Sequence, residues 1–353
     1  MYINNYQKKI LFIRNDKIGD LLLTLPVIKA AKDKYPDYKI SILVSEYTSN
    51  LLNDINYIDE IIVEKEKHKS YVGLLKLIKR IRKNKYDVGI ILYPCWRNAI
   101  VSFLSLIPIR IGTGYKLCSI LFNKKVYVHR TKNKLIHETD YCLKHLKYFN
   151  INHADRKINL TKRKKDEDYI KKLLDKFKIE KEERLIAIHP GNGRSALNWS
   201  VENFIRLIDL ITKDNRIRVV LTGTNGDKEI IEKIKDGINK DSKVINLFNQ
   251  TNINQLQALL SFCNFFIGTS TGPMHLAAAV KTRVIALFSP LLPQRPEKWS
   301  PLGEGHTIVL PEGVNCSRIK CILKKCKYYN CMDKIKPEVI CNILTERINN
   351  EKN

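Results

Sequence analysis

At 353 residues, 44% of them apolar, the chain is too long for one core and too apolar for large-scale disorder, so two domains are expected. No apolar run reaches the roughly 18–20 residues of a membrane-spanning helix, and Met1-Tyr2-Ile3-Asn4-Asn5-Tyr6 lacks a signal peptide's charge-then-apolar pattern, which points to the cytoplasm. The formal net charge of +26 calls for a polyanionic neighbour; lysines are spread along the whole chain without a nucleic-acid-binding signature, so an anionic membrane surface or a phosphorylated substrate fits and nucleic acid does not.

Lys9-Ile10-Leu11-Phe12-Ile13-Arg14 reads as a buried strand, and residues 21–32 repeat with helical period, Pro26 being tolerable only near the helix start. Asp20 therefore stands where the first strand hands over to the first helix, at the carboxyl edge of a parallel sheet. Ligands of open α/β sheets bind at that edge, while a carboxylate at a helix start is also an ordinary cap. Near-continuous apolar runs at 39–44, 60–63, 87–93 and 110–112 suit strands covered on both faces. Between them, 71–85 is helical and strongly basic, with Val72, Leu75, Ile78 and Ile81 at core spacing and Lys76, Lys79, Arg80 and Lys83 on the rest. That basic face suits solvent, or anionic lipid headgroups.

The composition turns sharply polar over 161–183, which places a domain boundary there, between 1–162 and 163–353. A second βα series follows, with strands at 185–189, 218–222, 243–247, 265–268 and 283–288. Two tandem doubly wound domains with a cleft between them are the simplest architecture. Three strand ends of the second series carry candidate loops. In His189-Pro190-Gly191-Asn192-Gly193-Arg194-Ser195-Ala196-Leu197-Asn198-Trp199, Arg194 offers a fork of donors to a phosphate and Ser195 a hydroxyl, at a spacing that is neither a Walker loop nor GxGxxG. Around Gly223-Thr224-Asn225-Gly226, Asp227 and Glu229 can accept from a ribose or base, or simply open a helix. Gly268-Thr269-Ser270-Thr271-Gly272-Pro273-Met274-His275 turns a strand into an Ala-rich helix, whose first N–H groups lack intrahelical partners; with the helix dipole behind them they suit an anion, and an ordinary capped βα turn has the same pattern. Gly272 permits close approach, and Pro273 suits the first helical position.

Ile13-Arg14, Gly19-Asp20 and Thr24-Leu25-Pro26, then His189-Pro190-Gly191 with Asn198-Trp199, then Gly268 and Gly272-Pro273-Met274-His275-Leu276-Ala277-Ala278 together resemble the lipopolysaccharide heptosyltransferases of glycosyltransferase family 9. The similarity keeps the family's order and spacing from about residue 9 to about residue 340. It implies a GT-B fold, two Rossmann-like domains facing across a cleft, with the acceptor domain first, the donor domain second and a C-terminal helix that can cross back. It implies inverting, metal-independent transfer of a heptose or related sugar from an ADP-activated donor, ADP-heptose, to a phosphorylated lipid-linked acceptor, without a cofactor. The enzyme would be cytoplasmic and peripheral at the inner face of the membrane. Asp20 matches the family's catalytic carboxylate, and Arg14 and Lys17 lie on the acceptor side. Asn192, Gly193, Arg194, Ser195 and Asn198 match donor-phosphate contacts, as do Ser270, Thr271, Gly272, Pro273, Met274 and His275; Asp227 and Glu229 match ribose or base contacts. Two departures touch the donor site: Leu197 stands where many members carry Lys, and Thr269-Ser270-Thr271-Gly272 lacks their Asp.

The chemistry agrees with the resemblance. Inverting transfer needs a base opposite the departing diphosphate, and helix-start amides with an Arg can hold that diphosphate in place of a metal. A nucleotide-sugar epimerase of similar fold and a non-enzymatic polyanion binder are the alternatives. Cys316, Cys321, Cys326 and Cys331 are spaced by five in a Lys-rich segment; four thiolates suit a structural metal, while the lack of a zinc knuckle's close C-x2-C pairs favours a packed, reduced loop, and both readings stay open.

Overall fold

A computed structural model describes residues 8–65, 70–128, 135–158, 160–180, 182–193 and 195–350. The chain divides into two compact units, Met1–Thr161 and Lys162–Asn353. Strands of the first unit are β1 (Lys9–Ile13), β2 (Lys39–Ser45), β3 (Glu60–Glu64), β4 (Val88–Ile91), β5 (Ile109–Thr113) and β6 (Lys124–Val126). Its helices are α1 (Ile18–Lys34), α2 (Glu46–Ser49), α3 (Tyr71–Asn84), α4 (Trp96–Leu104) and α5 (Glu138–Leu143). The second unit has α6 (Lys164–Asp175), β7 (Arg184–His189), α7 (Val201–Ile211), β8 (Ile217–Leu221), α8 (Lys228–Gly237), β9 (Val244–Asn246), α9 (Ile253–Phe262) and β10 (Phe265–Thr269). It ends with α10 (Gly272–Ala279), β11 (Arg283–Leu287), α11 (Pro296–Trp299), β12 (Thr307–Val309) and α12 (Pro337–Asn350).

Both sheets have the doubly wound order, β3-β2-β1-β4-β5-β6 and β12-β11-β10-β7-β8-β9, and the described pairs are parallel. Strands β1, β4, β7 and β10 are buried along nearly their whole length and mostly apolar, as strands covered on both faces are. The order reverses between β1 and β4 in one sheet and between β7 and β10 in the other, and such reversals open a crevice at the carboxyl ends of the strands.

Three local features differ from the sequence reading. Pro26 lies in the interior of α1, not near its start. A proline there removes a helix bond and costs about 3 kcal/mol, but α1 is buried on nearly every side from Ile18 to Ile28, and that burial outweighs the loss. On α3, Ser70 caps the first turn and Lys85 closes the last in a left-handed conformation, yet the buried face is Gly73, Leu77, Ile78 and Ile81. Val72 and Leu75 point outward instead. Edge strands β6 and β12 were not legible, being three residues long and half-exposed.

Helix α12 packs on α7 within the second unit. Ile340, Leu344 and Ile348 join the core under α7, and the Trp199 indole donates to the Ile335 carbonyl at 2.9 Å. Among the described residues no helix is long and apolar enough to cross a membrane.

Candidate active site

In the first unit the chemistry gathers at the β1/β4 reversal. Arg14 leaves the end of β1 and is buried to 1% exposure, so its charge must be met by protein groups. One guanidinium nitrogen donates to the Leu92 carbonyl, just past β4, at 2.8 Å. Another donates to Asp20 Oδ1 at 2.6 Å and to Glu138 Oε1 at 2.9 Å. Asp16 Oδ1 lies 3.2 Å from Nε. Asp20 sits in the first turn of α1 and keeps some solvent contact, whereas Glu138 is fully enclosed. The Asp20 carboxylate is thus aimed by an arginine whose charge is shared with two further carboxylates, so it is not one half of an isolated ion pair. Burial pushes the Asp16 carboxyl up to about 7 against the pull of Arg14, with Asp20 and Glu138 adding to the rise. Lys17 occupies the N-cap position of α1 and is exposed at the rim.

Asp16 and Glu138 were missed in the sequence. Asp16 had a faint signal, lying between Arg14 and Asp20 in the same turn. Glu138 had none: it arrives from 124 residues away because α5 packs on α1, tied by the Thr139 hydroxyl to the Leu23 carbonyl at 2.8 Å.

In the second unit the strand order sets β10, β7 and β8 side by side, so all three candidate loops leave the same sheet edge. Thr271 is the N-cap of α10, Gly272 and Pro273 open the helix, and Met274 and His275 follow in it with buried side chains. Ser270 and Thr271 are nearly buried, the Thr271 hydroxyl donating to the Thr269 carbonyl at 3.2 Å. Amides of that first turn have no acceptor within the helix, which is the arrangement an anion requires. After β7 the loop is shaped by its own bonds: Asn192 donates to the Ala196 carbonyl at 2.9 Å, and Gly193 takes a φ of 52°. Gln294 accepts from the Leu197 amide at 3.1 Å and reaches the Ser195 carbonyl at 3.5 Å. The Asn198 side-chain oxygen is buried without a hydrogen-bond partner among the described residues. Arg194 lies outside the described residues.

Asp227 and Glu229 part company. Asp227 is buried and caps its own turn, accepting from the Thr224 amide and hydroxyl at 2.9 Å each. Glu229 is exposed on α8 and pairs with Lys233 at 2.6 Å, a surface contact worth little. Burial lowers the neighbouring His189 imidazole, which shares a 3.0 Å bond with the Thr222 hydroxyl, while Asp227 opposes the shift. Gly191 explains the packing of these loops, since a Cβ there would overlap the Asp227 carboxylate. Gly191→Ala should therefore displace Asp227 from Thr224 and destabilise the second unit by about 1–3 kcal/mol. Urea unfolding reads this directly, and an unchanged midpoint would show that the loop yields without cost.

The four cysteines Cys316, Cys321, Cys326 and Cys331 line one cavity of about 290 Å³ beside Leu197, Asn198 and Trp199. Among the described residues no group of three or more His, Cys, Asp or Glu is arranged to hold a metal ion.

Comparison with known proteins places these observations in a family. The family model described as "Glycosyltransferase family 9 (heptosyltransferase)" matches residues 74–328. Lipopolysaccharide heptosyltransferase 3 of Escherichia coli strain K12 is 28% identical over 284 residues, covering 76% of this chain and 79% of its own length. Lipooligosaccharide heptosyltransferase 2 of Campylobacter jejuni is 25% identical over 327 residues, covering 92% and 93%. The solved structure of E. coli ADP-heptose lps heptosyltransferase II superposes with a TM-score of 0.77 at 20% identity, covering 98% of this chain and all of that one. At that identity the likeness concerns the fold alone, which is GT-B.

Proposed function

This chain belongs to glycosyltransferase family 9, the heptosyltransferases, and from that membership we propose that it moves a heptose from ADP-heptose onto a phosphate-bearing, lipid-linked lipopolysaccharide core acceptor, with inversion and without a catalytic metal. The enzyme is thereby a glycosyltransferase and not an epimerase or a passive polyanion binder. The donor, acceptor and metal independence are the reading put forward here, supported by the names its relatives carry and by the chemistry of the two strand-end sites.

Asp20, held at 2.6 Å by Arg14, is the observation that carries the mechanism. In the proposed reaction its carboxylate takes the proton of the acceptor hydroxyl as that oxygen bonds to the anomeric carbon. The bond from that carbon to the diphosphate oxygen breaks on the opposite face, and the electron pair leaves with ADP. Charge building on the departing diphosphate meets the Thr271 and Gly272 amides at the start of α10, the Ser270 and Ser195 hydroxyls, and Arg194. Lys17 faces the acceptor side. The first unit is the acceptor domain in this reading and the second the donor domain.

The test is a screen of nucleotide sugars against a lipid A–Kdo acceptor, followed by mass spectrometry of the product and by ADP release. The expected result is one added heptose, with ADP released only when acceptor is present and with undiminished rate in EDTA. A rate that vanishes in EDTA and returns with Mg²⁺ would overturn metal independence, and transfer of a hexose in preference to heptose would overturn the donor.

A further inference from the structure

One face of the first unit is apolar and basic at once. Helices α3 and α4 pack side by side, and the 3₁₀ turn Leu117–Leu121 packs against α4. Their inner sides bury Leu77, Ile78 and Ile81 from α3, Ala99 and Val101 from α4, and Cys118 from the turn. The outer sides are unlike those of an ordinary solvated helix. Helix α4 turns Trp96, Phe103 and Leu104 outward, at one-face spacing. On the turn, Leu117 is 86% exposed and Ile120 75%. At the start of α3, Tyr71 is 91% exposed, with Val72 and Leu75 beside it. Singly, exposed apolar side chains need no explanation; several on adjoining elements mark a surface meant to be covered.

The charge says what covers it. Residues 70–127 hold eleven Lys or Arg and one carboxylate, Asp87. Asp87 is tied to the start of β1, accepting from the Lys9 amide at 2.8 Å. Arg97 pairs with Glu64 at 2.6 Å, and Arg80 reaches Glu60 only at 4.0 Å. Lys76, Lys79 and Lys83 lie on the exposed side of α3, and no ion pair among the described residues engages them. The Arg110 guanidinium rests 5.3 Å from the Phe103 ring centroid, a cation at the margin of the apolar surface. A protein partner of equal area would need a comparable excess of acid. An anionic bilayer offers both the negative surface and the apolar interior, with aromatic rings favoured at the boundary.

We propose that the outer face of α3, α4 and the 117–121 turn seats this chain on an anionic lipid bilayer. Leu117, Ile120 and Phe103 enter the acyl boundary while Lys76, Lys79 and Lys83 lie among the headgroups. The proposal rests on the reading that the acceptor is lipid-linked, because seating this face brings the acceptor unit to the membrane plane.

Co-sedimentation with vesicles tests it on the full chain without any substrate, so that it can succeed or fail independently of the transfer reaction. Wild type should bind phosphatidylglycerol-containing vesicles, ignore pure phosphatidylcholine, and lose binding steeply as salt rises. Changing Lys76, Lys79 and Lys83 to Gln should weaken binding roughly a hundredfold, about fivefold for each cation lost near the surface. Changing Leu117 and Ile120 to Ser should weaken it at least about tenfold at any salt. Both variants should unfold at the wild-type midpoint and use a delipidated, soluble acceptor at the wild-type rate. Wild-type vesicle binding by both variants would overturn the proposal. So would a Leu117/Ile120 variant that changes only from dimer to monomer, because a second copy of the chain would then be the cover.

Discussion

Asp20→Asn should lower turnover by roughly 10²–10⁴ while leaving affinity for the proposed donor, ADP-heptose, within about twofold of wild type. The amide keeps the size of the carboxylate and can still accept from Arg14, now 2.6 Å away, so the first turn of α1 should stay in place. What it loses is the capacity to take a proton. The loss should therefore fall on kcat rather than on KM, and it should persist at every pH at which the wild type is active. Isothermal titration with ADP, made alongside steady-state rates, separates the two quantities. A folded Asp20→Asn enzyme with near-normal turnover would sink the general-base role, and a variant that no longer binds ADP would show damage beyond the carboxylate.

Arg14→Met should cost about 3–5 kcal/mol of stability at neutral pH, because it strands Asp16, Asp20 and Glu138 around a site with no cation. Methionine fills most of the same volume, so the loss is electrostatic and not a cavity effect. The remaining carboxyls can escape by taking up protons, which makes the defect shrink as pH falls. The wild type already has a weaker dependence of the same sign. The Asp16 carboxyl is raised in the fold to about 7, so the stability it contributes is complete below the ordinary carboxylate range and is lost as pH rises through 7. Urea unfolding at pH 5 and pH 8 measures both effects, and Asp16→Asn should flatten the wild-type dependence between them. A penalty in Arg14→Met that is under about 1 kcal/mol at both pH values would show that the three carboxylates do not need the arginine.

Much of this protein is written locally. Apolar runs and helical periods in order along the chain identify the strands with cores covered on both faces, and so the two βα series. Because each loop follows its strand directly, Asp20, the 189–199 loop and the Ser270–His275 stretch could be put at strand ends without knowing any strand's neighbours. The family match over residues 74–328 takes in the second and third of these stretches.

Tertiary structure decided what depends on neighbours. Periodicity names the apolar spacing of α3 but two stripes satisfied it, and only packing against α4 chose Gly73, Leu77, Ile78 and Ile81 over Val72 and Leu75. That choice left a basic face with apolar residues on it, which the sequence alone read as core. The edge strands β6 and β12 form because a neighbouring strand offers free backbone groups, not because of their own composition. Arg14 could be read as the end of a strand, but its partners could not. Leu92 reaches it through the pairing of β1 with β4, and Glu138 through the packing of α5 on α1. Propensity and burial act over a few residues, whereas a buried charge collects its counter-charges from wherever the fold brings them, and that information exists only in three dimensions.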